Sequence, residues 1–153
     1  MYVLDKSIEI SASPTEVREK FLDFSQLPNY HPNGFFRSIK PTIPDKPFEA
    51  GDKVDIVFEF GGSTATCLAN SPTEFRWIGS VPLIFSGEHT FRFTPSTTTP
   101  GGTTFYQEEK FTGALSFMMG DSFVARQIGF QAKTKNGWER YNQDLKAWCE
   151  GSK

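Results

Sequence analysis

The sequence predicts an α+β fold: a curved antiparallel sheet of about seven strands wrapped around a long C-terminal helix, with two short helices after the first strand. Three observations carry this. Sixteen Phe, four Tyr and three Trp fall among 153 residues, many at alternating positions in short runs, as half-buried strands require. Clusters of Gly, Pro and Thr separate those runs as hairpin turns would. After them comes one long segment whose apolar residues return every three or four positions, the spacing of a helix face. A chain of this length buries roughly 70% of its unfolded surface, so one domain over 1-153 is expected.

The first strand runs from Val3 to Ser11, with Ile8 and Ile10 set against Ser7, Glu9 and Ser11. Ser13-Pro14-Thr15-Glu16 then forms a capping box with Pro at the first helical position, followed by Val17, Phe21, Leu22 and Phe24 as an apolar face. Leu27-Pro28 limits that helix, and a second short helical turn is expected from Ser25 to Tyr30. His31-Pro32-Asn33-Gly34 turns the chain into a strand from Phe35 to Lys40. Pro41, Pro44, Pro47 and Gly51 make an irregular connection.

An antiparallel meander follows. Val54, Ile56, Phe58 and Phe60 form an inward set, Gly61-Gly62 a hairpin turn, and Ser63 to Asn70 the returning strand. After the turn at Ser71-Pro72-Thr73, Phe75, Trp77 and Gly79 form the next inward set. Val81-Pro82-Leu83 bends into Phe85 to Phe93, a loop spans Thr94 to Gly102, and Thr103 to Phe111 closes the sheet. The final helix, capped by Asp121 or Ser122, carries Phe123, Gln127, Phe130, Thr134, Trp138, Tyr141, Leu145 and Trp148 on one face over roughly 35 Å or more. Its near half reads as a lid and its far half, almost wholly apolar, as an anchor. Gly137 is expected to mark a bend.

The formal net charge is -2, which leaves no basic excess to neutralise phosphates, so no nucleic acid partner is expected. No run is apolar for the length of a membrane span, and the start has no signal-peptide pattern. Cys67 and Cys149 stand far apart and in no C-x-x-C spacing, which fits a reducing compartment. The chain therefore reads as a soluble cytoplasmic protein, a monomer or weak homodimer. The scattered His and Cys offer no metal-ligand spacing, there is no G-x-S-x-G, and the paired glycines sit in turns rather than at helix starts. No metal or other cofactor is expected.

At this point the chain resembles a known family. The element order, with Phe75-Arg76-Trp77-Ile78-Gly79, Phe85-Ser86-Gly87-Glu88-His89-Thr90-Phe91-Arg92-Phe93, Gln107-Glu108-Glu109-Lys110-Phe111-Thr112-Gly113 and Gly129-Phe130 onward to Leu145-Lys146, is similar to the START-like helix-grip fold. That is the fold of the SRPBCC group of polyketide cyclases/dehydrases and lipid-transport proteins. The matches cover most of the chain. One departure lies at the second helix, where relatives often have a Trp-Asn-Pro-Phe-like stretch and this chain reads Tyr30-His31-Pro32-Asn33-Gly34-Phe35, giving a different pocket entrance. The resemblance implies a deep cavity between sheet and helix that receives a small apolar molecule, polyketide-like or lipid-like.

Strand parity indicates what would line it. Phe85, His89, Phe91 and Phe93 share one face of their strand, and Phe105, Gln107, Glu109 and Phe111 one face of the next. His89 and Glu109 are thus expected as cross-strand partners in an apolar wall. Burial raises a carboxyl pKa and a nearby imidazolium lowers it, so either state lies within reach of neutrality, as acid-base catalysis requires. The plainer reading is a hydrogen-bonded core pair that fixes register. Phe58, Phe60, Trp77, Phe91, Phe93, Phe105 and Gln107 are the expected ligand-facing residues of the sheet, and Phe123, Gln127, Phe130 and Thr134 those of the helix. Met118, with Met119, Phe117 and Phe123, suits a ligand gate or ordinary packing. Tyr30 and His31 stand near the mouth, where a histidine in a Pro/Gly turn is ordinarily solvated. Arg76 and Arg92 face outward.

Two functions follow: a cofactor-independent cyclase, dehydratase or isomerase using His89 and Glu109, or a non-catalytic carrier. Burying about 300 Å² of apolar ligand contributes about 7 kcal/mol before association costs, so a carrier needs no catalytic group.

Overall fold

Alternation of apolar and polar residues along the strands gives the sheet one buried face, and the amphipathic C-terminal segment covers it. In the computed structural model, which describes residues 2–59, 61–81, 85–112 and 130–151, the strands are β1 (Tyr2–Ile10), β2 (Phe36–Pro41), β3 (Lys53–Phe58), β4 (Gly61–Asn70), β5 (Glu74–Val81), β6 (Phe85–Pro95) and β7 (Thr103–Thr112). They form one antiparallel sheet in the order β1-β7-β6-β5-β4-β3-β2. Chain neighbours pair throughout the meander, while β1 pairs with β7, so the sheet carries the first and last strands side by side.

Between β1 and β2 lie α1 (Pro14–Leu22), a short 3-10 turn and α2 (Leu27–Tyr30); α3 (Phe130–Gly151) follows the sheet. Ser13 caps α1 as its sequence predicts: its Oγ accepts the Glu16 N–H at 3.2 Å. Val17 and Phe21 are the buried face of this helix. Phe21 is the centre of the core at this end of the sheet, with ring centroids 4.6 Å from Phe91, 5.4 Å from Phe75, 5.5 Å from Phe93 and 6.1 Å from Phe105. Aromatic pairs at these distances add to simple area burial.

Helix α3 contacts β1, α1 and α2. Thr134, Trp138, Tyr141, Asn142, Leu145 and Cys149 form its buried stripe. Its far half is therefore not wholly apolar, because Asn142 occupies the position one turn after Trp138. Gly137 does not act through flexibility alone: a side chain there would overlap the ring of Phe35, which lies against the helix backbone. The segment expected to start this helix, with Phe123 and Gln127, lies outside the described residues, as do Phe60, Met118 and the side chain of Phe130.

Two turns differ from the sequence expectation. Phe58 pairs directly with Gly61, so Gly61 and Gly62 belong to β4 rather than to the hairpin turn, which falls two positions earlier. Gly61 keeps a positive φ of 144°, a conformation that glycine adopts without steric cost. Thr94 and Pro95 extend β6 instead of opening the loop. On the outer face, Arg76 binds Glu88 at 2.9 Å and Glu74 at 3.3 Å, and Glu74 also meets Arg92 at 3.4 Å, as their outward parity requires. Both cysteines are buried thiols. Among the described residues no helix is long and apolar enough to cross a membrane.

Candidate functional site

The register between β6 and β7 sets His89 opposite Glu109, Phe91 opposite Gln107 and Gly87 opposite Phe111. All of these lie on the inner parity of their strands. His89 is 2% exposed, and aromatic rings hold it: Phe91 stacks on it at 4.1 Å and 11°, Trp138 of α3 lies 4.8 Å away, and Trp77 meets it edge-on at 6.0 Å. Its Nε2 bonds Gln107 Oε1 at 2.9 Å, and Gln107 Nε2 donates to Asn142 Oδ1 at 2.7 Å. The other ring nitrogen, Nδ1, stands 3.5 Å from Glu109 Oε1. Sheet and helix are thus joined by a line of polar groups that begins at Asn142 and ends at a carboxyl.

Glu109 differs from every other acid described. Burial pushes its pKa up to about 8, with no hydrogen bond or cation among the described residues to oppose the rise. Its side chain keeps a fifth of its surface accessible, yet its surroundings are apolar. Leu4 is its register partner on β1. Gly87 makes the space for it: a β-carbon on Gly87 would fall on Glu109 Oε2. Burial lowers His89 to about 3 against the opposing pull of Gln107. The imidazolium that parity reasoning allowed is therefore absent near neutrality, because desolvation of the charged ring outweighs one neutral hydrogen bond. The pair is a neutral imidazole beside a carboxyl that is mostly protonated at pH 7.

One orphan lies beside them. The indole N–H of Trp138 is buried without a hydrogen-bond partner among the described residues, and a buried unpaired donor costs about 1–3 kcal/mol.

The remaining expected residues separate into groups. Trp77, Phe91 and Gln107 surround His89. Phe93 and Phe105 are 0% exposed beneath Phe21, so they fill one end of the half-barrel instead of lining open space. Thr134 is buried on α3, and Phe58, half buried, packs against Phe35 and Phe36 at 5.7 and 5.8 Å. His31 is not a solvated loop histidine. It is 1% exposed; Nδ1 donates to Asp144 Oδ2 at 2.7 Å, and Nε2 accepts the Phe36 N–H at 3.4 Å. Burial lowers its pKa while Asp144 raises it. Tyr30 shares a hydroxyl hydrogen bond of 2.9 Å with Tyr141 and stacks on Trp148 at 4.6 Å; burial raises the pKa of both phenols. Arg140 donates to the carbonyls of Asn33 at 3.0 Å and Pro32 at 2.5 Å. These contacts fasten the turn after α2 onto α3, away from Glu109.

Sequence reasoning missed Gly87 and Asn142. Asn142 had a signal, since a polar residue four after Trp138 falls on the buried stripe. Gly87 had none, because glycine at an inward position announces only that something approaches closely.

No protein-family model matches the chain, and no curated protein matches it. Solved structures do. TTHA0849 from Thermus thermophilus superposes with a TM-score of 0.72 at 15% identity over 99% of both chains. The START superfamily protein from Mycobacterium smegmatis gives 0.69 at 11% identity over 100% of both. The di-domain ARO/CYC BexL from the BE-7585A biosynthetic pathway gives 0.72 at 12% identity, over 97% of this chain and 50% of BexL. At these identities the likeness establishes architecture: the chain has the START-like helix-grip fold of SRPBCC type.

Proposed function

We propose that this helix-grip chain binds a small apolar molecule, polyketide-like or lipid-like, and catalyses its cofactor-independent cyclisation, dehydration or isomerisation. Glu109 is the proton donor and acceptor in this reading, and the neutral His89 beside it orients the carboxyl. The observation that carries the reading is the state of Glu109: a carboxyl on an apolar wall, unsatisfied among the described residues and pushed up to about 8. A structural carboxylate would have hydrogen bonds or a cation; one matched to the working pH is what acid-base chemistry uses.

Phe21 fills one end of the half-barrel, so the ligand lies toward the other end, beside Glu109 and over Gly87. In a dehydration, Glu109 gives its proton to the departing hydroxyl, water leaves, and the resulting carboxylate takes a proton from the adjacent carbon. In an isomerisation the same proton goes to a carbonyl oxygen, and the Glu109 carboxylate so formed takes one from the adjacent carbon to leave the enol. BexL, an ARO/CYC of a biosynthetic pathway, shares the architecture, which supports a reactive polyketide over a stable lipid.

Glu109→Gln tests this. The expected result is a loss of about 10² to 10⁴ in turnover of the native substrate with binding nearly intact. Unchanged turnover removes Glu109 from the mechanism. Native mass spectrometry that finds an apolar molecule retained and released chemically unaltered supports the carrier instead.

A further inference from the structure

The chain has two histidines, and each has both ring nitrogens committed in opposite senses. At His31, Nδ1 faces the Asp144 carboxylate and must carry the proton, because Nε2 accepts from the Phe36 backbone N–H. At His89 the order reverses. Gln107 uses its amide N–H on Asn142 Oδ1 and therefore presents its carbonyl oxygen to His89 Nε2. A carbonyl oxygen only accepts, so Nε2 carries the proton and Nδ1 is a bare lone pair aimed toward Glu109 at 3.5 Å.

We infer that Gln107 and Asn142 are positioning residues that hold His89 in its Nε2–H tautomer, so that Nδ1 stands as the acceptor for the proton of Glu109. This rests on the proton-transfer role proposed above for Glu109 and identifies what sets it. Neither amide touches the carboxyl. They act through the imidazole, whose plane is fixed independently by Phe91 on one side and Trp138 near it.

The electrostatics agree with this assignment. In the other tautomer an Nδ1–H would donate to Glu109, favour the carboxylate and hold its pKa down. Among the described residues Glu109 instead sits beside groups that offer it no proton: Leu4 opposite it on β1, Gly87 beneath it on β6, and apolar Phe111 two residues on. Lys6 shares the inner parity of β1, but its ammonium is ion-paired with Glu139 of α3 at 3.5 Å. The helix enters the chemistry here: Asn142 on α3 orients Gln107 on β7, which orients His89 on β6.

Two histidines make the test direct. ¹⁵N NMR of histidine-labelled protein, with peaks assigned through a His31→Gln variant, is expected to show His89 protonated at Nε2 and bare at Nδ1, and His31 the reverse. A wild-type His89 protonated at Nδ1, or averaging between tautomers, overturns the inference. In Gln107→Leu and Asn142→Leu, the His89 signals are expected to move toward the Nδ1–H form, and the ¹³C carboxyl titration midpoint of Glu109 to fall, while His31 keeps its tautomer as the control for an intact fold. A His89 tautomer and Glu109 midpoint unchanged in both variants equally overturn it. The two proposals fail separately. Unchanged turnover in Glu109→Gln removes the catalytic reading and leaves the tautomer assignment standing; a wrong tautomer in the wild type removes the assignment whatever that variant does.

Discussion

The Glu109 carboxyl rests on the bare Cα of Gly87, in the space a β-carbon would need. Across two neighbouring strands, the smallest residue of one thus determines where the ionisable group of the other can lie. Gly87→Ala is expected to push the carboxyl off the sheet toward water. Its titration midpoint should drop from about 8 toward the ordinary carboxylate range, at a cost of about 1–3 kcal/mol from overpacking. Carboxyl ¹³C titration and urea unfolding read both. A midpoint that stays near 8 would mean that Gly87 does not place this group.

Stability should depend on pH from both sides. Glu109 rises from its ordinary 4.5 to about 8 on folding, so the folded chain binds the proton that the unfolded chain releases, and stability is lost as pH climbs from 4.5 through 8. His89 falls from 6.5 to about 3, so stability is lost as pH drops below 6.5; His31, also lowered, adds to that limb. Each group contributes up to about 1.4 kcal/mol per pH unit inside its window. Denaturant unfolding should therefore show Glu109→Gln flattening the alkaline limb while leaving the acid limb in place. An alkaline limb identical in wild type and variant contradicts the assigned shift.

The turn after α2 is held by its histidine. His31→Leu leaves the Phe36 N–H without its acceptor and the Asp144 carboxylate facing Arg140 Nε at 3.5 Å in place of a 2.7 Å hydrogen bond, and is expected to cost about 1–3 kcal/mol. Gly34→Ala should act on the same feature, because a side chain there would enter the His31 ring. Hydrogen exchange should quicken over 31–36 in both, with the Glu109 titration midpoint unchanged. Unaltered exchange in both variants would show that the turn is held by something else.

Gly137 and Phe35 form a second close approach. Alanine gains about 1 kcal/mol over glycine inside a helix, but Gly137→Ala meets the ring of Phe35. The single variant is expected to lose about 1–3 kcal/mol, whereas in a Phe35→Gly background, which also removes the β-carbon that the new methyl would meet, the same change should stabilise. A double-mutant cycle by urea unfolding measures the sign reversal; additive effects would mean that the ring and the helix backbone are not in conflict.

Periodicity made the sheet, the two short helices and the α3 face legible, because burial of one face repeats in sequence at a fixed interval. It also set His89 and Glu109 on the same face of neighbouring strands, since parity and a hairpin connection fix both side and partner. The hairpin turn was misplaced by two positions because Gly61-Gly62 suits a turn as well as a strand end, and only pairing decides register. His31 was expected in water because a Pro/Gly turn ordinarily is; α3 covers this one and supplies Asp144 and Arg140, residues more than 100 positions away.

The sequence by itself determined the α+β architecture, the inner and outer faces of each strand, and the pairing of an imidazole with a carboxyl. Only the tertiary structure decided their charge states and the tautomer. A pKa and a proton's position follow from how much protein surrounds a group and which atoms face it, here Gly87, Gln107 and Asn142 from three separate elements, and those distances have no trace in local sequence spacing.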